Sequence, residues 1–167
     1  MIETDDIMNV LRGIDDPEMP ISIVDLGIVE SVDVDGADGC VSIDILPTFV
    51  GCPALDMIRN LVTERVGAMR GVGSVRVTFR HAPAWTPDRI TDTGRASLAA
   101  HGVTVPQRCD DQSAGGVEPL VELNVPVECP YCQSRDTYQD SLFGPTRCRA
   151  IHYCNACRNS FEHIKAL

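Results

Sequence analysis

Positive charge is scarce in this sequence. Its 14 Lys and Arg stand against 24 Asp and Glu, a net charge of -10 at pH 7 with histidine neutral. A chain so balanced does not seek the phosphate backbone of nucleic acid, so no nucleic-acid partner is expected. Long apolar runs are missing as well. No stretch approaches the roughly 20 residues of a membrane-spanning helix, and the first six residues, Met1-Ile2-Glu3-Thr4-Asp5-Asp6, are acidic where a signal peptide is basic. The expectation is a cytoplasmic protein with no membrane contact. Aromatic residues are few, 5% within a hydrophobic total of 44%, which is the balance of a soluble globular protein.

What the chain does have is cysteine, eight in 167 residues. In a reducing compartment these read as metal ligands and reactive thiols rather than disulfides. The length suits one ordinary domain, or a domain of about 100 residues with a small appended module. Composition favours the second division. From Pro106 to Glu118 the chain is poor in large apolar residues and rich in Gly and Asp, as a linker is, and Cys109 within it has no neighbour at ligand spacing. The expected organisation is a domain over 1–105, a linker over 106–125 and a module over 126–167. The module holds five basic and four acidic side chains, so the first 125 residues carry a charge of -11.

In the first domain Ile7, Val10, Leu11 and Ile14 recur at helical spacing, with Thr4 placed to cap them. Asp15-Asp16-Pro17-Glu18-Met19-Pro20 follows, where two prolines exclude a helix. Asp16, Glu18 and Asp25 are candidate metal or proton-transfer carboxylates, although Asp before Pro is commonly a turn cap; that reading is preferred for Asp16 and left open for Asp25. Residues 31–34 and 41–45 alternate apolar and polar like two half-buried strands, separated by the hairpin signal Asp35-Gly36-Ala37-Asp38-Gly39. A second helix follows Cys52-Pro53, with Leu55, Ile58, Val62, Val66 and Met69 on one stripe and Gly71 placed to end it. A third alternating strand spans 74–80. The loop after it contains Trp85 between two prolines, either a lid on the core or a cover over a site. A third helix is expected from Ile90 to Gly102.

The chemistry of this domain centres on Cys52. If Pro53 is the first helical residue, Cys52 is the N-cap and its sulfur lies near the unpaired amides of the first turn, which favour thiolate. The competing reading is a small buried hydrophobe at a strand end.

The tail carries the strongest signal. Cys129-Pro130-Tyr131-Cys132 and Cys154-Asn155-Ala156-Cys157 are two CxxC pairs 21 residues apart. Each pair turns two sulfurs to one side, and two such knuckles close a tetrahedral thiolate site whose role is structural. A module this small needs the metal for its folding energy. Zinc is the expected ion. Four thiolates also accept iron or an iron-sulfur cluster. Cys148 is a packed thiol or an additional ligand, and His152 and His163 are further candidate ligands.

Taken together, Asp16-Pro17-Glu18, Asp25-Leu26-Gly27, Thr48 through Cys52-Pro53 and Trp85-Thr86-Pro87 resemble the SufT-like domain of iron-sulfur assembly factors. The tail, with Phe143-Gly144-Pro145-Thr146-Arg147-Cys148-Arg149-Ala150 between its CxxC pairs, is similar to that of the PaaD family, encoded with multicomponent phenylacetyl-CoA epoxidases. The resemblance implies an α+β fold, a small three-stranded mixed sheet packed by helices, followed by a zinc-ribbon-like module. It implies a non-catalytic accessory role in phenylacetate degradation, supporting iron or iron-sulfur delivery, with other epoxidase subunits or iron-sulfur assembly proteins as partners. The family's reactive cysteine falls on Cys52, supported by Asp16, Glu18, Asp25, Thr48 and Trp85. Its ribbon ligands fall on Cys129, Cys132, Cys154 and Cys157, and its tail usually has a cysteine where Cys148 stands. A thiol enzyme using Cys52 and a passive subunit-bridging module are the alternatives.

Overall fold

The computed structural model describes residues 2–35, 38–108 and 126–165. Most of the expected linker, including Cys109, lies outside them. By contacts the chain divides into one unit, Met1–Gly94, and another, Arg95–Leu167.

The first unit is built on a three-stranded sheet in the order β1-β2-β3, comprising β1 (Val29–Asp35), β2 (Cys40–Ile45) and β3 (Ser74–Phe79). β1 runs antiparallel to β2, and β3 runs parallel to it, with Ile43 opposite both Val32 and Val77. The sheet is therefore mixed, as expected. The parallel pair requires a crossover, which α2 (Ala54–Gly67) supplies. Alternation places Val41, Ile43 and Ile45 of the central strand at 0% exposure. They share the core with Ile7 and Leu11 of α1 (Thr4–Arg12) and Ile58, Val62 and Val66 of α2.

Two helix starts differ by one residue from the sequence expectation. Glu3, not Thr4, is the N-cap of α1, where its backbone N–H donates to the Asp6 carboxylate at 3.3 Å. At α2 the N-cap is Pro53, with φ -66° and ψ -20°, so Cys52 stands one position outside the helix. Proline's ring fixes φ near the helical value wherever the residue sits at the start, so the cap itself fits it as well as the first turn does. The third helix is shorter than expected. Pro87–Arg89 forms a 3-10 turn, Ile90 is extended, and α3 is confined to Asp92–Ala100.

Trp85 belongs to the core. It is 4% exposed and its indole Nε1 donates to the Leu26 carbonyl at 3.0 Å. Asp25 is a tie-point: its carboxylate accepts from Ser22 Oγ at 3.0 Å and Thr91 Oγ1 at 2.7 Å. Gly27 beside them has φ +72°, and a Cβ there would sit 2.3 Å from the Arg89 carbonyl oxygen. Only glycine fits that close approach.

The second unit is a four-stranded sheet in the order β4-β7-β6-β5, from β4 (Val103–Thr104), β5 (Thr137–Ser141), β6 (Arg149–Cys154) and β7 (Ser160–Ile164). The last three form an antiparallel meander, and β4 adds to β7 in parallel. Residues 95–104, grouped with the first domain by sequence, thus count with the ribbon. The two-residue strand β4 is too short for periodicity to reveal it. Among the described residues no helix is long and apolar enough to cross a membrane.

Replacing Trp85 with Phe removes the donor and strands the Leu26 carbonyl. The variant is expected to lose about 1–3 kcal/mol of stability in urea unfolding, with the accessibility of the Cys52 thiol to a thiol reagent unchanged.

Candidate metal centre and the Cys52 turn

The ribbon repeats one backbone knuckle twice. In the first, the Gln133 N–H donates to the Cys129 carbonyl at 2.9 Å and the Cys129 N–H to the Ser134 carbonyl at 2.9 Å. In the second, Arg158 donates to Cys154 at 2.8 Å and Cys154 to Asn159 at 3.0 Å. Closing each turn forces the residue after the second cysteine into the left-handed region, Gln133 at φ 61° and Arg158 at φ 60°. The two knuckles are tied by Asn155, whose N–H and side-chain amide both donate to Asp136 at 2.9 Å. The left-handed positions were missed in the sequence because neither residue is glycine. The signal available was the alignment of Cys-Pro-Tyr-Cys-Gln-Ser with Cys-Asn-Ala-Cys-Arg-Asn.

The result is four Sγ atoms within 4.8 Å of one another, with Cys129 and Cys157 at 3.6 Å and Cys132 and Cys154 at 3.6 Å. Four thiolates at about 2.3 Å from one tetrahedral ion have sulfurs about 3.8 Å apart. The set present fits such an ion and would hold it through all four positions. Cys129, Cys154 and Phe161 form a buried cluster, with Val127 and Cys157 packed against it.

Proton affinities inside the cage are split. At Cys157 burial pushes the thiol up, but the Asn159 amide and side chain, with Cys129 and Cys132, outweigh it and bring it down to about 6. At Cys132 the Ser134 amide draws the thiol down, yet burial and the surrounding sulfurs push it up to about 12. Burial also raises Cys129, against the amides of Tyr131 and Cys132. A cation entering the cage displaces the protons that Cys129 and Cys132 hold.

Cys148 is outside this group. It is buried on β6's approach, its sulfur 3.1 Å from Thr146 Oγ1. His152 and His163 are also outside the cage.

In the first unit, the chain leaves β2 through Leu46, turns at Gly51 (φ +79°) and reaches Cys52 just before α2. Cys52 is half-buried and forms no disulfide. Its sulfur lies 3.9 Å from Glu18 Oε2. Asp16 builds the turn that presents Glu18, accepting the Glu18 N–H on Oδ1 at 2.8 Å. This agrees with the cap reading of Asp16. Thr48 is half-buried in the same loop as Cys52. Asp25 and Trp85 have their polar atoms committed to Ser22, Thr91 and Leu26. The structure thus brings Cys52 and Glu18 together, with Asp16 behind them. That a glutamate 34 residues away would meet the thiol was not legible from local pattern.

Residues 116–165 match the PaaD zinc beta ribbon domain family, and residues 4–79 match the iron-sulfur cluster assembly protein family. An Escherichia coli protein, provisionally named as one of the subunits of 1,2-phenylacetyl-CoA epoxidase, is 34% identical over 163 residues, covering 97% of this chain and 92% of its own. The chain belongs to the PaaD family. An Fe-S protein maturation auxiliary factor from Porphyromonas gingivalis is 36% identical over 94 residues, covering 56% of this PaaD-family chain and 89% of its own. A conserved hypothetical protein from Thermotoga maritima shares the fold over 58% of this chain and 94% of its own, with 28% identity and a TM-score of 0.52.

Two outcomes are expected of the cage. Metal retention should fall steadily as pH is lowered, since protons compete for thiolates, as followed by a chromogenic chelator. Arg158→Gly should stabilise the ribbon by about 0.5–1 kcal/mol by relieving the left-handed strain, measured in chemical unfolding of the metal-loaded protein.

Proposed function

We propose that this PaaD-family protein is a non-catalytic maturation factor for a multicomponent phenylacetyl-CoA epoxidase, and that Cys52 carries iron or an iron-sulfur cluster on its way to a client. The 3.9 Å between Cys52 Sγ and Glu18 Oε2 carries this reading. It is long for a hydrogen bond that would drive a nucleophile. It is close to the spacing of a thiolate and a carboxylate that share one cation, about 3.6 Å with zinc bond lengths as the yardstick. Transfer is then ligand exchange without redox change: a client thiolate replaces Cys52, and Glu18 falls away with it.

The surroundings support docking. Val50 and Met57, on either side of Cys52 in the sequence, are 72% and 55% exposed and offer apolar surface to a client. Zinc is the ion assigned to the ribbon cage, in a closed and structural role. Partners on this reading are the epoxidase subunits or the iron-sulfur assembly proteins that load the carrier. The protein works where cluster assembly does, in the cytoplasm.

The test is Cys52→Ser, with Glu18→Gln beside it. Epoxidase co-expressed with Cys52→Ser should accumulate with little iron-sulfur content and little activity, while the variant itself stays folded and keeps its ribbon metal. Glu18→Gln should show a smaller loss. Fully active epoxidase in the presence of Cys52→Ser would overturn the proposal.

A further inference from the structure

Outside the thiolate cage the second unit holds a pair of histidines packed ring to ring. His152 on β6 is 4% exposed, and its Nδ1 is buried with no hydrogen-bond partner among the described residues. His163 on β7 is half-buried. The register pairs His152 with Phe161 and Ala150 with His163, so the two histidines are diagonal neighbours on one face of the sheet. Their ring centroids are 5.3 Å apart, with the planes at 69°.

Hydrogen bonding fixes the tautomer of His163. Thr104 Oγ1 lies 3.1 Å from the Glu162 carbonyl and 2.8 Å from His163 Nδ1. A hydroxyl has one proton and a carbonyl can only accept, so Thr104 donates to Glu162 and accepts from His163 Nδ1–H. The lone pair of His163 is therefore on Nε2.

Packing alone does not account for these features. Phe161, His152 and His163 form a ring column with steps of 5.6 Å and 5.3 Å, which phenylalanine would fill without leaving a buried ring nitrogen unpaired. An imidazole whose far nitrogen is free because its near N–H is tied to an oxygen has the arrangement of a metal ligand. Two imidazoles bound to one tetrahedral cation, at about 2.0–2.1 Å from nitrogen, place their centroids about 5 Å apart. The observed separation matches.

We propose that His152 and His163 form a second binding site, for an exchangeable divalent first-row transition-metal ion, through His152 Nδ1 and His163 Nε2. Imidazole suits iron, zinc, nickel and copper alike. Two protein ligands leave the remaining positions to water, so the ion is held more weakly than in the four-thiolate cage. It enters from the His163 side, the more exposed of the two.

The experiment uses the full chain carrying Cys52→Ser, which removes the thiol of the first unit, with its cage loaded with zinc, titrated with Co²⁺ and followed by absorption, with released zinc measured in parallel. A second equivalent of metal is expected to bind with the weak visible bands of nitrogen and oxygen ligation, no thiolate-to-cobalt charge-transfer band and no zinc release. His163→Phe and His152→Phe should each abolish that equivalent while keeping the cage zinc and the far-ultraviolet circular dichroism. Thr104→Val, which frees the tautomer, should weaken it severalfold. If His152→Phe does not fold, His163→Phe and Thr104→Val decide. Absence of a second equivalent, cobalt uptake only at the expense of cage zinc, or uptake unchanged in His163→Phe would overturn the proposal.

Discussion

Four sulfurs held within 4.8 Å of one another set the terms for the ribbon. As thiolates they repel, and as thiols they form weak contacts that hold little together. Only a cation makes their convergence favourable, and a unit with a sheet of four short strands has little apolar burial with which to force it. The rest of the ribbon follows. The two knuckles give up the comfortable backbone angles of Gln133 and Arg158 to aim their sulfurs inward, and amides such as those of Tyr131, Ser134 and Asn159 are turned toward the sulfurs. Phe161 seals the inner side.

The first unit follows a different rule. Its sheet is secured by ordinary burial of Val41, Ile43 and Ile45 beneath two helices, and its polar tie-points, Asp25 and Trp85, close loops onto that core. A core secured in this way can leave a thiol half-exposed in the loop between its central strand and α2 without losing stability. On the function proposed above, the contrast in coordination is the functional contrast. A cage with four protein ligands has no open position and holds its ion for structure, whereas a single thiol beside one carboxylate holds a cation loosely enough to give it up.

What the sequence made legible depended on the range of the interaction. Period-two alternation exposed all three strands of the first sheet, and the two CxxC pairs exposed the cage, because each is written in neighbouring residues. Less was visible wherever partners are far apart. The Cys52–Glu18 approach spans 34 residues and the Thr104–His163 bond 59, and neither leaves a local pattern. The helix boundary at Pro53 moved by one residue for a simpler reason: proline's fixed φ satisfies both the cap and the first turn, so the residue type alone does not separate them.

That one-residue shift bears on the chemistry. With Cys52 as N-cap, the first-turn amides would lie beside the sulfur and stabilise thiolate in the manner of a nucleophile. With Pro53 as the cap, Cys52 stands outside the helix, and its own carbonyl accepts the Leu55 N–H at 3.3 Å. The polar side chain shown facing its sulfur is then an acid. A carboxylate beside a thiol works against thiolate formation unless a cation is shared between them. The arrangement is poor for attack on an electrophile, and it is on this ground that the proposed function makes Cys52 a carrier of metal-bearing cargo rather than the nucleophile of an enzyme.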